Sequence, residues 1–332
     1  MPKCGSQIIL CDLPVRFDTY EGCGHACRYC FVKRKNDISK IKNGEKAESL
    51  RAFINGNRTR DLKWLDWDIP LHFGGMSDPF QPIERTEQKT LEALKVFAQT
   101  QYPFVVSTKN KLIAEDPYLS LIKQCNCVVQ ISAACPVYDE IEKGASTFAE
   151  RMEAAAKISP YKRVIIRVQP YLPNFHEEIT EALKTFAEIG VYGITVEGMK
   201  YLRAMPNTLK VGNDNLYPAK LLRQKYTQLR DECHTLGMRF YCAENRLRSM
   251  GDDLCCCGID GLGWKTNKGN LVHLLNGDAE FSEGQKINAT GFACGINQKS
   301  ISGIYDKQVS FEECMQDAFQ VRKIMRVLIP ES

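Results

Sequence analysis

Three cysteines within eight residues, Cys23, Cys27 and Cys30, are the part of this 332-residue chain whose types and spacing most directly imply chemistry. Spacings of four and three let one loop wrap a metal centre. A structural zinc takes four protein ligands, and His25, inside the same loop, is a candidate for the fourth. A 4Fe–4S cube has four corners, so three cysteines leave one iron open to something else. Both chemistries fit the segment Glu21-Gly22-Cys23-Gly24-His25-Ala26-Cys27-Arg28-Tyr29-Cys30-Phe31.

A second group is Cys255-Cys256-Cys257. In an extended segment Cys255 and Cys257 share a face that Cys256 opposes. Together with Cys242 and Cys294 this group can form an auxiliary site, as a second iron–sulfur cluster or a zinc site. The alternative is a cysteine-rich turn without metal. Cys135, just past a predicted strand, is either a thiol facing the mouth of a barrel, able to donate hydrogen, or a small buried hydrophobe. All told there are 15 cysteines, an odd count that argues against a disulfide framework.

The elements that must position these groups alternate. Predicted strands are 15–20, 71–73, 104–107, 128–132, 164–168, 193–196 and 239–242. Helical periodicity marks 87–98, 148–156, 179–187 and 221–236, with Pro117 and Pro218 placed to begin helices. Repeated strand–helix alternation gives a parallel sheet with crossover helices. A full or partial (β/α) barrel is the simplest closure, with a doubly wound sheet as the rival. After Cys242 the alternation stops. Residues 258–303 are glycine-rich, and a final helix is predicted over about 311–328. The chain therefore reads as a barrel over 1–245 with a Gly/Cys-rich C-terminal extension over 246–332.

No apolar run approaches the roughly 20 residues of a membrane-spanning helix. The first residues carry no apolar core or cleavage site of a secretory signal. The expectation is a cytoplasmic protein with no membrane partner. The net charge of +4 does not by itself announce a nucleic-acid binder. Basic residues concentrate from Arg28 to Lys46, however, either as a solvated face or as a phosphate-contacting arm beside the site.

Cys-x3-Cys-x2-Cys with an aromatic residue before the last cysteine resembles the signature of the radical S-adenosylmethionine (SAM) superfamily. That resemblance implies a 4Fe–4S cluster on Cys23, Cys27 and Cys30, with SAM as a second cofactor on the open iron. It implies SAM cleavage to a 5′-deoxyadenosyl radical that abstracts hydrogen from a substrate, in a partial parallel (β/α)6-type TIM barrel. Ser77-Asp78-Pro79-Phe80-Gln81-Pro82-Ile83-Glu84, followed by Ser107-Thr108-Lys109, is similar to the spore photoproduct lyase-like branch. The resemblance, which covers about residues 15–245, makes Tyr29, Gly74, Gly75, Ser77, Asp78, Ser107, Lys109, Ser132 and Arg167 candidates for contacting SAM, with Tyr29 against the adenine. It also implies a reductase or flavodoxin-like electron donor and favours a nucleic acid or nucleotide as substrate, with a peptide or small metabolite as the alternative. Outside the enzymes, the alternative is a metal-stabilised binding module.

Overall fold

The computed structural model describes residues 1–278 apart from 5–9, 35–39, 60–61, 63–67, 212–213, 269, 271, 274–275 and 277. Seven strands follow one another in the sheet in chain order: β1 (Val15–Phe17), β2 (Leu71–Phe73), β3 (Phe104–Thr108), β4 (Cys127–Ser132), β5 (Val164–Tyr171), β6 (Gly193–Gly198) and β7 (Arg239–Cys242). Every neighbouring pair is parallel. A short antiparallel strand, Lys3–Cys4, borders β1, and β7 forms the other edge. The barrel predicted from sequence is therefore present in its partial, open form.

The crossovers include the helices Lys89–Thr100, Tyr118–Gln124, Phe148–Ile158, His176–Glu188 and Ala219–Thr235. Pro117 and Pro218 stand at helix N-caps as expected. Phe148–Ile158 starts from a capping box. The Thr147 hydroxyl accepts the Glu150 N–H at 3.3 Å, and the Glu150 carboxylate accepts the Thr147 N–H at 2.9 Å. Two departures from the sequence reading have local causes. The predicted strand 15–20 stops at Phe17, because Asp18 and Thr19 turn their carbonyls to Glu45 and Gly44. The short helices Ala47–Ile54 and Tyr118–Gln124 show too few turns for periodicity to reveal them. The predicted final helix and Cys294 lie outside the described residues.

Strand alternation divides the sheet into two environments. Phe17, Phe73, Phe104, Val106, Val129, Ile131, Ile166, Val168, Ile194 and Val196 join the large apolar core with the crossover helices. The opposite face lines the barrel. Toward the N-terminal ends of the strands it is apolar, with Val105, Val128, Ile165 and Tyr241 in a separate cluster. One step further along come His72, Ser107, Gln130 and Arg167, joined by hydrogen bonds. The barrel thus has an apolar floor and a polar upper interior, below the strand ends where barrel folds place their chemistry.

Candidate functional site

The loop that follows β1 carries Cys23, Cys27 and Cys30, and its shape is imposed by residues from two later crossovers. Gln81, fully buried, accepts the Gly24 N–H at 2.8 Å. Its amide nitrogen donates to Gly22 O at 3.2 Å and to Ser77 Oγ at 2.9 Å. Ser77 in turn donates to Gly22 O at 2.6 Å. From the loop after β4, Ile141 O accepts the Arg28 N–H at 3.0 Å. Gly144 comes so close that a Cβ there would stand 2.5 Å from His25 O.

His25 is buried, with one ring nitrogen hydrogen-bonded and the other beside a carboxylate at ion-pair distance. Nδ1 donates to Gly144 O at 2.8 Å and Nε2 lies 3.0 Å from Asp78 Oδ2. Burial opposes charging the imidazole, but the Asp78 carboxylate outweighs it, and the His25 pKa is raised. Asp78 shows the converse. Burial works against its charge, yet His25, the Lys109 N–H and the Thr108 hydroxyl hold its carboxyl below the usual range. Its oxygens accept from Phe80 N and Thr108 Oγ1, each at 2.8 Å, and from Lys109 N at 2.6 Å. The segment after β2 is therefore a polar brace beneath the cysteine loop.

That arrangement tests which metal group the loop fits. With His25 Nδ1 bonded to Gly144 O and Nε2 turned to the Asp78 carboxylate, the loop offers three thiols and no histidine ligand. Among the described residues no three His, Cys, Asp or Glu side chains converge to hold a single metal ion. A four-iron cube spreads its thiolates over separate corners and needs only three here, so the donor set fits a 4Fe–4S cluster better than a structural zinc. Burial pushes the Cys23 thiol up to about 12 and the Cys27 thiol up to about 11. Metal binding there must expel protons.

Beside the loop sits a charged knot that sequence reading did not find. Glu142, 3% exposed, accepts from the Tyr29 hydroxyl and from Arg151, and lies 3.2 Å from Lys109 Nζ. Burial opposes its charge, but Lys109 and Arg151 overcome that and lower its pKa. Lys109 Nζ also donates to Ser132 Oγ at 2.6 Å and lies 5.6 Å from the Tyr29 ring centre. Arg151, fully buried, donates to Ser132 O at 2.7 Å and to Asp139 at 2.8 Å. Tyr29, Lys109 and Ser132 are thus brought together, by two residues 113 and 122 positions beyond Tyr29 that no local motif connects to it.

The remaining candidates separate. Gly74, at φ +87°, has no room for a side chain, because a Cβ would stand 2.7 Å from Pro79 and 2.8 Å from Ser107 O. Gly75 lies against Arg16. Ser107 and Arg167 meet at 2.8 Å inside the barrel, where Arg167 also donates to Gln169 at 2.9 Å. Among the described residues no carboxylate pairs with Arg167. Cys135 is fully buried in the core between sheet and helices. Cys242 shares that outer core, whereas Cys255 and Cys257 belong to the floor of the barrel, the end opposite the cysteine loop.

No helix among the described residues is long and apolar enough to cross a membrane. No family model matches the chain. In sequence it is 24% identical over 204 residues to uncharacterized proteins of Mycobacterium bovis and Mycobacterium tuberculosis. The match covers 56% of this chain and 59% of each relative, so the chain spans about three fifths of their length. Among solved structures, spore photoproduct lyase complexed with dinucleoside spore photoproduct has a TM-score of 0.56 at 15% identity, covering 69% of this chain and 76% of that one. A form of the same lyase with bound AdoMet gives 0.55 at 15% identity and the same coverage. The fold of this chain is that seen in spore photoproduct lyase.

Proposed function

We propose that the chain is a radical SAM enzyme whose substrate is a nucleic acid or nucleotide. The observation that carries the first half is the cysteine loop itself: three thiols, with the loop histidine withdrawn into an ion pair with Asp78. Three protein ligands leave a corner of the cube for SAM, which a closed four-ligand zinc site would not.

Cys23, Cys27 and Cys30 hold the cluster, and Gln81, Ser77, His25 and Asp78 keep their loop in place. Lys109 and Ser132 meet the charged end of SAM, with Glu142 and Arg151 setting the position of the lysine. Arg167 and Ser107 hold polar groups deeper in the barrel, and Gly74-Gly75 lets backbone approach the cofactor. Tyr29 offers its ring beside the Lys109 ammonium, and the adenine is its natural partner. A cluster held by Cys23, Cys27 and Cys30 would supply the electron for reductive cleavage of SAM, the source of the hydrogen-abstracting group. The protein's own contribution is position and a dry interior.

Support for the substrate comes from charge. Arg28, Lys40 and Lys42 are exposed on the segment around the cysteine loop, and Arg167 lacks a carboxylate partner among the described residues. Spore photoproduct lyase, of similar fold, is seen complexed with dinucleoside spore photoproduct. A reductase or flavodoxin-like protein is the electron donor in this reading. The compartment in this reading is the cytoplasm, which fits the twelve cysteines from Cys11 to Cys257 that are free thiols.

Electron paramagnetic resonance of the anaerobically reconstituted, reduced protein tests the open corner. Adding SAM should shift the cluster signal, and Cys23→Ala, Cys27→Ala or Cys30→Ala should remove that response. A cluster signal indifferent to SAM would overturn the reading.

A further inference from the structure

The polar interior of the barrel fixes the protonation of one imidazole. Gln130 donates from Nε2 to Cys257 O at 3.2 Å, which turns its Oε1 toward Ser107. That oxygen accepts the Ser107 hydroxyl at 3.0 Å, so the one proton on Ser107 Oγ is committed. Arg167 donates to the same Oγ at 2.8 Å, and His72 Nε2 lies 2.9 Å from it. With its proton already given, Ser107 can only accept from His72, so Nε2 carries hydrogen. Burial and the Arg167 and Arg16 charges push the His72 pKa down to about 3, so the ring is neutral. Nδ1 is then a bare lone pair, and none of the described residues donates to it.

A second group in this interior also lacks a partner. Thr195 stands between Ile194 and Val196, both in the outer core, so strand alternation turns its side chain inward. It is 1% exposed, and its Oγ1 makes no hydrogen bond among the described residues. In the sheet it lies opposite Arg167, which meets His72 through Ser107. A buried hydroxyl without a partner costs stability. Toward the N-terminal strand ends lies the apolar floor of Val105, Val128, Ile165 and Tyr241. His72 and Arg167 face the middle of the barrel and are still only half-buried, so solvent enters there.

We propose that His72 Nδ1 and Thr195 Oγ1 are binding groups for a nucleoside held inside the barrel. His72 accepts a hydrogen bond from a sugar hydroxyl or a base amino group. Thr195 offers its hydroxyl as donor or acceptor, and the apolar floor suits the face of a base. A nucleoside is neutral, which suits a wall whose Arg167 has no carboxylate partner among the described residues. The ligand class rests on the function proposed above, and the nucleoside is either that of SAM or that of the substrate. Neither residue belongs to a motif visible in the sequence.

The tautomer is read first, without ligand, by long-range proton–nitrogen NMR of the full chain carrying isotope-labelled histidine. At neutral pH, His72 should show a protonated Nε2 and an unprotonated Nδ1. A protonated Nδ1 would overturn the proposal and leave the SAM reading untouched. Binding then separates the two sources. His72→Gln keeps a donor for Ser107 but lacks the lone pair, and Thr195→Val keeps the shape but lacks the hydroxyl. Each should weaken the ligand about three- to tenfold. The loss appears in SAM affinity, by equilibrium dialysis on the reconstituted protein, where the nucleoside is the cofactor's. It appears in affinity for a fluorescent single-stranded DNA oligonucleotide, by anisotropy, where the nucleoside is the substrate's. Parent-like affinity for both probes in both variants would overturn the proposal alone, and a parent that binds neither probe would overturn the function beneath it as well. Thr195→Val should also unfold at a higher urea concentration than the parent, since its hydroxyl is unpaired in the free chain. A less stable variant would show that hydroxyl already satisfied and overturn its role.

Discussion

Gln81 Oε1 accepts the Gly24 N–H at 2.8 Å across 57 residues of sequence, so the segment after β2 sets the path of the loop that carries the three cysteines. Gln81→Ala should leave that N–H without its partner inside the protein and take away one of the two donors to Gly22 O, the Ser77 hydroxyl remaining. We expect a loss of about 1–3 kcal/mol in stability, measured by urea denaturation of the metal-free chain, together with reduced iron uptake on reconstitution. A variant that takes up iron like the parent would show that the loop holds its shape without Gln81.

SAM affinity separates the two cationic side chains from a purely structural role. Lys109→Ala and Arg167→Ala should each weaken SAM binding by about 1.5–3 kcal/mol, the usual range for a hydrogen bond to a charged group. Equilibrium dialysis on the reconstituted protein measures it. Unchanged affinity in both would return Lys109 to its contacts with Glu142 and Ser132 and Arg167 to its contacts with Ser107 and Gln169.

The barrel interior predicts an acid-sensitive term. Burial pushes the His72 pKa down to about 3, with the Arg167 and Arg16 charges adding to it. The unfolded chain, with an ordinary imidazole at 6.5, takes up its proton first as pH falls. The contribution of neutral His72 to stability is thus fully present above pH 6.5 and is lost progressively from there toward 3. Stability of the parent should decline over that range, and His72→Gln should make the decline shallower. Equal slopes in the two proteins would place the acid sensitivity elsewhere.

Much of this arrangement is legible in the sequence, and what is not has a physical reason. All seven parallel strands carry their own signal, because short β-branched runs such as Val164-Ile165-Ile166 are bounded by turns and amphipathic helices. The cysteine loop is legible because its ligands are local. The knot around Glu142 is not, since Glu142 and Arg151 follow β4 while their partners Tyr29 and Lys109 come from other crossovers. The triplet Cys255–Cys257 is visible, but which end of the barrel it occupies depends on the chain folding back after β7. Only tertiary packing brings Cys11 to it.

The floor can be probed without touching any thiol. Gly258 has φ +70°, and an added Cβ would stand 2.5 Å from Ile165 Cδ1. Gly258→Ala should therefore destabilise the fold by about 1–3 kcal/mol through overpacking and backbone strain. Thermal unfolding of the metal-free protein reads this directly. A parent-like midpoint would mean that the segment does not seal the barrel.

The central claim is that Cys23, Cys27 and Cys30 support reductive cleavage of SAM. Chromatographic measurement of 5′-deoxyadenosine, formed by the reconstituted protein with SAM and dithionite, tests it most directly. The account predicts 5′-deoxyadenosine and methionine from the parent, and neither from a folded variant carrying Cys23→Ala, Cys27→Ala and Cys30→Ala. Equal amounts from that variant, or none from a parent that holds its full iron, would contradict it.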